Sequence, residues 1–193
     1  MWVRGSADAE AGLIKRALAA REVLRICRGL YCLADRYRDR PVDSYAVAQF
    51  IMGPSYVSLE AALAFHGWLP EAVETVTSVC AARSRRFLTP IGSFRFDRVP
   101  QRNLFAGVAR VPRGHDQAAF IATPLKALAD YVSVHRTDWC GSESPIDSLR
   151  LPPDCLAAIE PGQCAALAAN YRSRRVRRFL AGLGREAAGC RSR

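Results

Sequence analysis

The spacing of apolar positions switches from helical to alternating within one stretch, residues 54–80, PSYVSLEAALAFHGWLPEAVETVTSVC. After an extended SYV, Ser58 is a good N-cap, and Leu59, Ala62, Leu63 and His66 recur around one helical face. Gly67 then supplies a C′ residue and Pro70 blocks continuation. From Thr75 the period becomes two, and Val76 and Val79 among Thr75, Thr77 and Ser78 suit a pleated, half-buried strand.

Upstream, residues 6–21 predict a helix whose apolar strip is Leu13, Ile14, Ala17 and Leu18, with Lys15, Arg16 and Arg21 pointing elsewhere. In EVLRICRGLYCL, Leu24 and Ile26 alternate with Arg25 and Cys27, Arg28-Gly29 makes a turn, and Leu30, Tyr31 and Cys32 return. A helix followed by a basic hairpin is the last half of a winged helix-turn-helix. The segment 34–44 carries both charge signs, a proline and no apolar period, which predicts a linker. A domain boundary near residue 42 follows, dividing a partial winged helix (1–42) from a C-terminal domain (43–193).

Downstream, RRFLTPIGSFRFDRVP predicts two strands around Thr89-Pro90-Ile91-Gly92, with Phe94 and Phe96 on one face and Arg95 and Asp97 on the other, wet one. NLFAGVARVP and QAAFIA flank the turn-rich RGHD at 113–116 and predict another hairpin in the same antiparallel sheet. Thr123-Pro124 is a cap followed by proline at N1, and Leu125, Leu128, Ala129 and Val132 keep the helical period. Residues 137–153 predict a loop, followed by short helical segments at 155–159 and 162–171 and a final helix over 173–188. The sum is an α+β fold: an N-terminally truncated winged helix-turn-helix, then an α+β domain with antiparallel hairpins and C-terminal helices.

Half of the 193 residues are hydrophobic, enough for a buried core rather than a disordered chain. The early apolar segment LIKRALAA is broken by Lys15 and Arg16, which argues against a signal peptide or membrane anchor, and no run approaches membrane-spanning length. Seven cysteines without a CxxC point to free thiols in a reducing cytosol, so a cytoplasmic location is expected. The net charge of +10 comes almost wholly from 26 arginines against 2 lysines. Arginine grips phosphate with a planar fork of donors, so contact with a polyanion is expected; a coding bias that replaces lysine by arginine on solvated faces would leave the same composition.

The final helix concentrates this charge. Val176, Phe179, Leu180, Leu183 and Ala187 share one face, Arg174, Arg178 and Arg185 lie opposite, and Arg175 and Arg177 flank the stripe. Residues 172–193 hold eight arginines and one acid, Glu186. Such a helix is either docked with a solvated basic face or presents that face to phosphates. A membrane-surface role conflicts with the need for the apolar face in the core.

Candidate chemistry is sparse. His66, His115 and His135 are far apart in sequence, and His66 sits where an imidazole interacts with the last carbonyls of a helix. His135 with Cys140, or Cys27 with Cys32, has no second ligand pair, so neither a metal nor another cofactor is expected. Gly92-Ser93 before Asp97 and Gly141-Ser142 before Asp147 imitate a nucleotidyltransferase loop but lack the second carboxylate that holds magnesium. Lys15 and Lys126 are preceded at nuclease-motif spacing by Leu13 and Pro124, and neither G-x-S-x-G nor a Walker loop occurs. A non-enzymatic protein is expected.

The 54–80 block, the RICRGLYCL hairpin, the ATPLKALADYV helix and the YRSRRVRRFL tail occur in an order that resembles the AbiEi family of bacterial antitoxins and transcriptional regulators, over residues 10–185. That family belongs to type IV toxin-antitoxin, or abortive-infection, systems. Its pattern runs winged helix, a "YxSLESALxxHGLIPE" helix, a "TSVT" strand, hairpins, a "TPEKALLDLL" helix and a terminal "SxRVRRLL" segment. The resemblance implies a two-domain repressor that binds its own operator DNA. It also implies a nucleotidyltransferase-like toxin as functional partner, opposed without a stable complex. DNA contact would then fall on Lys15 and Arg16 of the recognition helix, Arg25 and Arg28 of the wing, and Arg174, Arg175, Arg177 and Arg178 of the last helix. This chain departs from the pattern in having only about a dozen residues where two further helices precede the recognition helix, through truncation or a misassigned start codon, and in having Leu125 where the family has Glu. The competing expectation is a protein-interaction or structural domain that has lost DNA binding with those helices.

Overall fold

The computed structural model describes residues 7–71, 73–114, 117–156 and 159–190. The first helix, α1 (Ala7–Ala19), ends where Arg21 adopts a left-handed backbone at φ 55°. The Glu22 N–H then donates to the Ala17 carbonyl at 2.8 Å and the Arg21 N–H to that of Leu18 at 3.1 Å, a Schellman closure with arginine where glycine is usual. The Arg36 guanidinium donates to the carbonyls of Ala20 and Arg21 at 2.9 and 3.3 Å, closing the same helix end. Strands β1 (Val23–Cys27) and β2 (Leu30–Leu33) pair antiparallel across the expected Arg28-Gly29 turn, where Gly29 takes φ 79°. α1 packs against β1.

Within residues 34–44, expected to be a linker, only a three-residue 3₁₀ turn is regular before Ser44 starts a helix that was not expected. A 3₁₀ turn, Asp35–Tyr37, is followed by α2 (Ser44–Ile51), capped by Asp43, whose carboxylate accepts the Ala46 N–H at 2.9 Å. α2 lies on the central sheet, and Gln49 donates to the Ala118 carbonyl at 3.0 Å.

Six strands form that sheet: β3 (Ser55–Val57), β4 (Thr75–Cys80), β5 (Arg85–Thr89), β6 (Gly92–Arg98), β7 (Val108–Pro112) and β8 (Ala118–Ala122). Their order is β5-β6-β4-β3-β8-β7. Both expected hairpins are present, but the sheet is mixed rather than antiparallel. β4 runs parallel to β6, and β3 parallel to β8. The reason is how each hairpin docks. The chain leaves β4, runs out to the edge as β5 and turns back in as β6, so the second strand of the hairpin meets the centre; β7 and β8 do the same on the other side. Phe94 and Phe96 are buried on one face of β6, while Arg95 and Asp97 pair at 2.6 Å on the other.

Helices complete a mixed α+β architecture. α3 (Leu59–Phe65) packs on β4 and on α4 (Pro124–His135), and α4 packs on α7 (Arg174–Cys190), which also holds α6 (Pro161–Asn170). α3 ends as expected, with Gly67 at φ 72° and the Trp68 N–H on the Leu63 carbonyl at 2.9 Å. Thr123 caps α4, with Pro124 in its first turn. The region expected to be a loop contains α5 (Glu143–Leu149), and a 3₁₀ turn, Pro153–Leu156, starts the short segment expected at 155–159. Val176, Phe179, Leu180 and Leu183 of α7 are buried, as the helical stripe required. His115 of the RGHD turn lies outside the described residues. Among those described, no helix is long and apolar enough to cross a membrane.

Candidate nucleic-acid interface

Three of the segments that carry the family resemblance meet at one buried polar cluster. Lys126 and Asp130, one turn apart on α4, are both 0% exposed. All three ammonium protons of Lys126 have acceptors: the Asp130 carboxylate at 3.4 Å, the Tyr171 hydroxyl at 2.8 Å and the Gln101 side-chain carbonyl. The Asp130 carboxylate accepts from Lys126 and Tyr171 (2.6 Å) at one oxygen and from Tyr56 and Ser58 (2.8 Å each) at the other. Gln101 donates to the Tyr56 hydroxyl, and Asn170 donates to Gln101 and to the Asn103 carbonyl. Burial, reinforced by the Asp130 charge, pushes the Tyr56 and Tyr171 phenols well above their ordinary pKa. It lowers that of the Lys126 ammonium against the opposing pull of Asp130.

With Lys126 and Asp130 saturated, this cluster acts as a clamp. It ties β3, α4, the 101–103 segment and the junction between α6 and α7. Sequence reasoning missed it, noting Lys126 only as a rare lysine. The i,i+4 spacing of Lys126 and Asp130 was a usable signal, but their burial was not visible.

The clamp also corrects the role of Ser58. Its hydroxyl does not cap α3; it is drawn to Asp130. Thr77 of β4 takes over, accepting the Ala61 N–H at 3.0 Å and donating to the Ser58 carbonyl at 2.7 Å. His66 likewise turns from its own helix end to the Ala122 carbonyl at 2.9 Å, joining α3 to β8.

On the surface, Lys15 and Arg16 are exposed on α1, Arg25 is exposed on β1, and Arg28 is exposed in the turn. None of the four has a carboxylate within salt-bridge distance among the described residues. The fold therefore brings this half of the expected contact residues into one module of helix and hairpin. The other half sits on α7. Arg174, Arg177 and Arg178 are exposed there, whereas Arg175 is half-buried and donates to Asp138 at 2.8 Å, holding that carboxyl below its usual range. Arg175 is thus partly neutralised.

A cavity of about 1000 Å³ opens beneath the loop before β4, with Glu60, Glu74, Arg86 and Arg95 among its lining residues. Among the described residues no three His, Cys, Asp or Glu side chains converge as metal ligands. Cys27, Cys32, Cys80, Cys140, Cys155 and Cys164 are free thiols. No protein-family model and no curated protein sequence matches this chain.

Proposed function

We propose that this chain is an antitoxin-like transcriptional regulator of a type IV toxin-antitoxin operon, non-enzymatic and cytoplasmic, and a member of the AbiEi family. It binds operator DNA and opposes a nucleotidyltransferase-like toxin without a stable complex. The observation that carries the reading is the module of α1 and its hairpin, which presents Lys15, Arg16, Arg25 and Arg28 to solvent with no carboxylate within salt-bridge distance among the described residues. A helix backed by a short basic hairpin is compatible with the recognition-helix-and-wing half of a winged helix, and cations on it would supply affinity for phosphates. Further support comes from the clamp. Tyr56 and Ser58, Lys126 and Asp130, and Tyr171 come from three of the resembling strings and meet in one hydrogen-bonded cluster. The exposed arginines of α7 provide a second phosphate-contacting face in this reading.

The test is a gel shift with duplex DNA from upstream of the gene, at two salt concentrations, with this chain and with a version extended upstream. A salt-sensitive shift is expected; its absence for both proteins defeats the regulator reading. One observation favours a second reading, a protein-interaction domain: Leu13, Leu33 and Tyr37 of the N-terminal region are about half exposed, at 50%, 50% and 49%. Stoichiometric capture of a protein partner without any DNA shift would favour it.

A further inference from the structure

β5 is an edge strand of the six-stranded sheet, and β1 of the hairpin passes within 8 Å of it, measured between Cα atoms. Arg85 and Arg86 are exposed on β5, and Arg83 is exposed just before it. Arg98, exposed at the end of β6, is held beside them by its backbone N–H, which donates to the Ser84 hydroxyl at 2.9 Å. None of these four guanidinium groups has a carboxylate within 4.0 Å among the described residues. The neighbouring acid, Asp97, is engaged by Arg95 at 2.6 Å.

We propose that this edge is a phosphate-binding rail that continues the DNA-contacting surface of the hairpin onto the central sheet. The proposal rests on the regulator reading above and adds a contact surface to it. Arg86, opposite Arg95 in the ladder, turns to the mixed-charge cavity, which leaves Arg83, Arg85 and Arg98 as cations without a carboxylate within 4.0 Å among the described residues; a surface serving only solubility intersperses the two signs. A polyanion relieves the repulsion among them. Arg83 and Arg85 are two residues apart, at most about 7 Å along an extended chain, about the axial rise of two nucleotides of one DNA strand. Arginine forks engage phosphate oxygens in pairs, and Arg25 on the neighbouring β1 supplies continuity with the wing. Duplex DNA fits this continuity better than a lipid surface, because the basic run follows a strand edge and a hairpin.

The experiment compares the full-length chain with Arg83→Gln/Arg85→Gln and, as a control of equal charge loss, Arg102→Gln/Arg110→Gln, where Arg110 lies on β7 at the opposite edge. Binding to the upstream duplex and to a shuffled duplex is measured over a salt series. The β5 pair is expected to weaken both complexes alike and to reduce the slope of log affinity against log salt by about two, while the control keeps the wild-type slope. A wild-type slope for the β5 pair, or an equal loss in the control, overturns the rail and leaves the regulator reading standing. No salt-sensitive binding by the wild type overturns both. Binding of the wild type, but not of the β5 pair, to anionic vesicles with unchanged DNA affinity would assign the edge to a membrane and also overturn it.

Discussion

Lys126 and Asp130 stand one turn apart on α4 as a completely buried ion pair, with the ammonium nitrogen 3.4 Å from a carboxylate oxygen. Their attraction offsets a desolvation cost of several kcal/mol per ion only because every proton and lone pair is also hydrogen-bonded. Removing one partner strands the other. Lys126→Met and Asp130→Asn are each expected to destabilise the chain by about 3–5 kcal/mol in urea unfolding. The double variant is expected to lose less than the sum, by about 1–3 kcal/mol of coupling. Single losses near about 0.5 kcal/mol, the scale of surface substitutions, would show that the pair is not the clamp described here.

The same clamp gives stability an alkaline limit. The folded-state pKa values of Tyr56 and Tyr171 are raised, so their contribution is complete below about pH 10 and is lost as the pH climbs through those raised values. Lys126 acts in the opposite sense: its lowered pKa makes its contribution grow as the pH rises toward about 10.4. Within the clamp two phenols oppose one ammonium, and the Tyr45 and Tyr131 phenols, also raised by burial, act in the same direction as the two, so stability is expected to fall above about pH 10. Tyr56→Phe and Tyr171→Phe should each flatten that fall in urea midpoints measured across the alkaline range. Parallel decline in all three proteins would refute the assignment.

Thr77, rather than Ser58, starts α3. Thr77→Val keeps the side-chain shape but leaves the Ala61 N–H without its partner and the Ser58 carbonyl with only the long bond from the Ala62 N–H at 3.4 Å, at an expected cost of about 1–3 kcal/mol. Ser58→Ala acts through Asp130, so a double-mutant cycle between Ser58 and Asp130 is expected to show coupling, whereas a capping serine would act independently of Asp130.

Arg21 occupies a left-handed position that costs a non-glycine residue about 1–2 kcal/mol. Arg21→Gly is therefore expected to slow amide exchange at the end of α1 and in β1. Arg36→Ala, which removes the donor to the Ala20 and Arg21 carbonyls, should accelerate it. Unchanged exchange in both variants would mean that this helix end is not closed by these groups.

The legible parts of this fold are those decided by local chemistry. Thr123-Pro124, Gly67 and the Arg28-Gly29 turn fix their backbone within a few residues, and the α7 stripe announces its buried face. α2 was hidden because Asp43 reads as linker composition until its carboxylate is seen capping Ala46, and because packing on β3 and β8 stabilises a helix only eight residues long. The parallel pairings of β4 with β6 and β3 with β8 depend on which strand of each hairpin docks, a choice made by tertiary packing. For the candidate interface, exposed charges on α1 and the hairpin were readable from periodicity. Their proximity to β5, and the engagement of Arg175 by Asp138, required the three-dimensional arrangement.

The regulator claim is tested most directly by a reporter gene placed behind the DNA upstream of this gene and measured in cells with and without the protein. Repression by the wild type is expected, with relief by Arg25→Gln/Arg28→Gln at equal protein level. Reporter output unaffected by the wild type and by its upstream-extended version would contradict the proposed function.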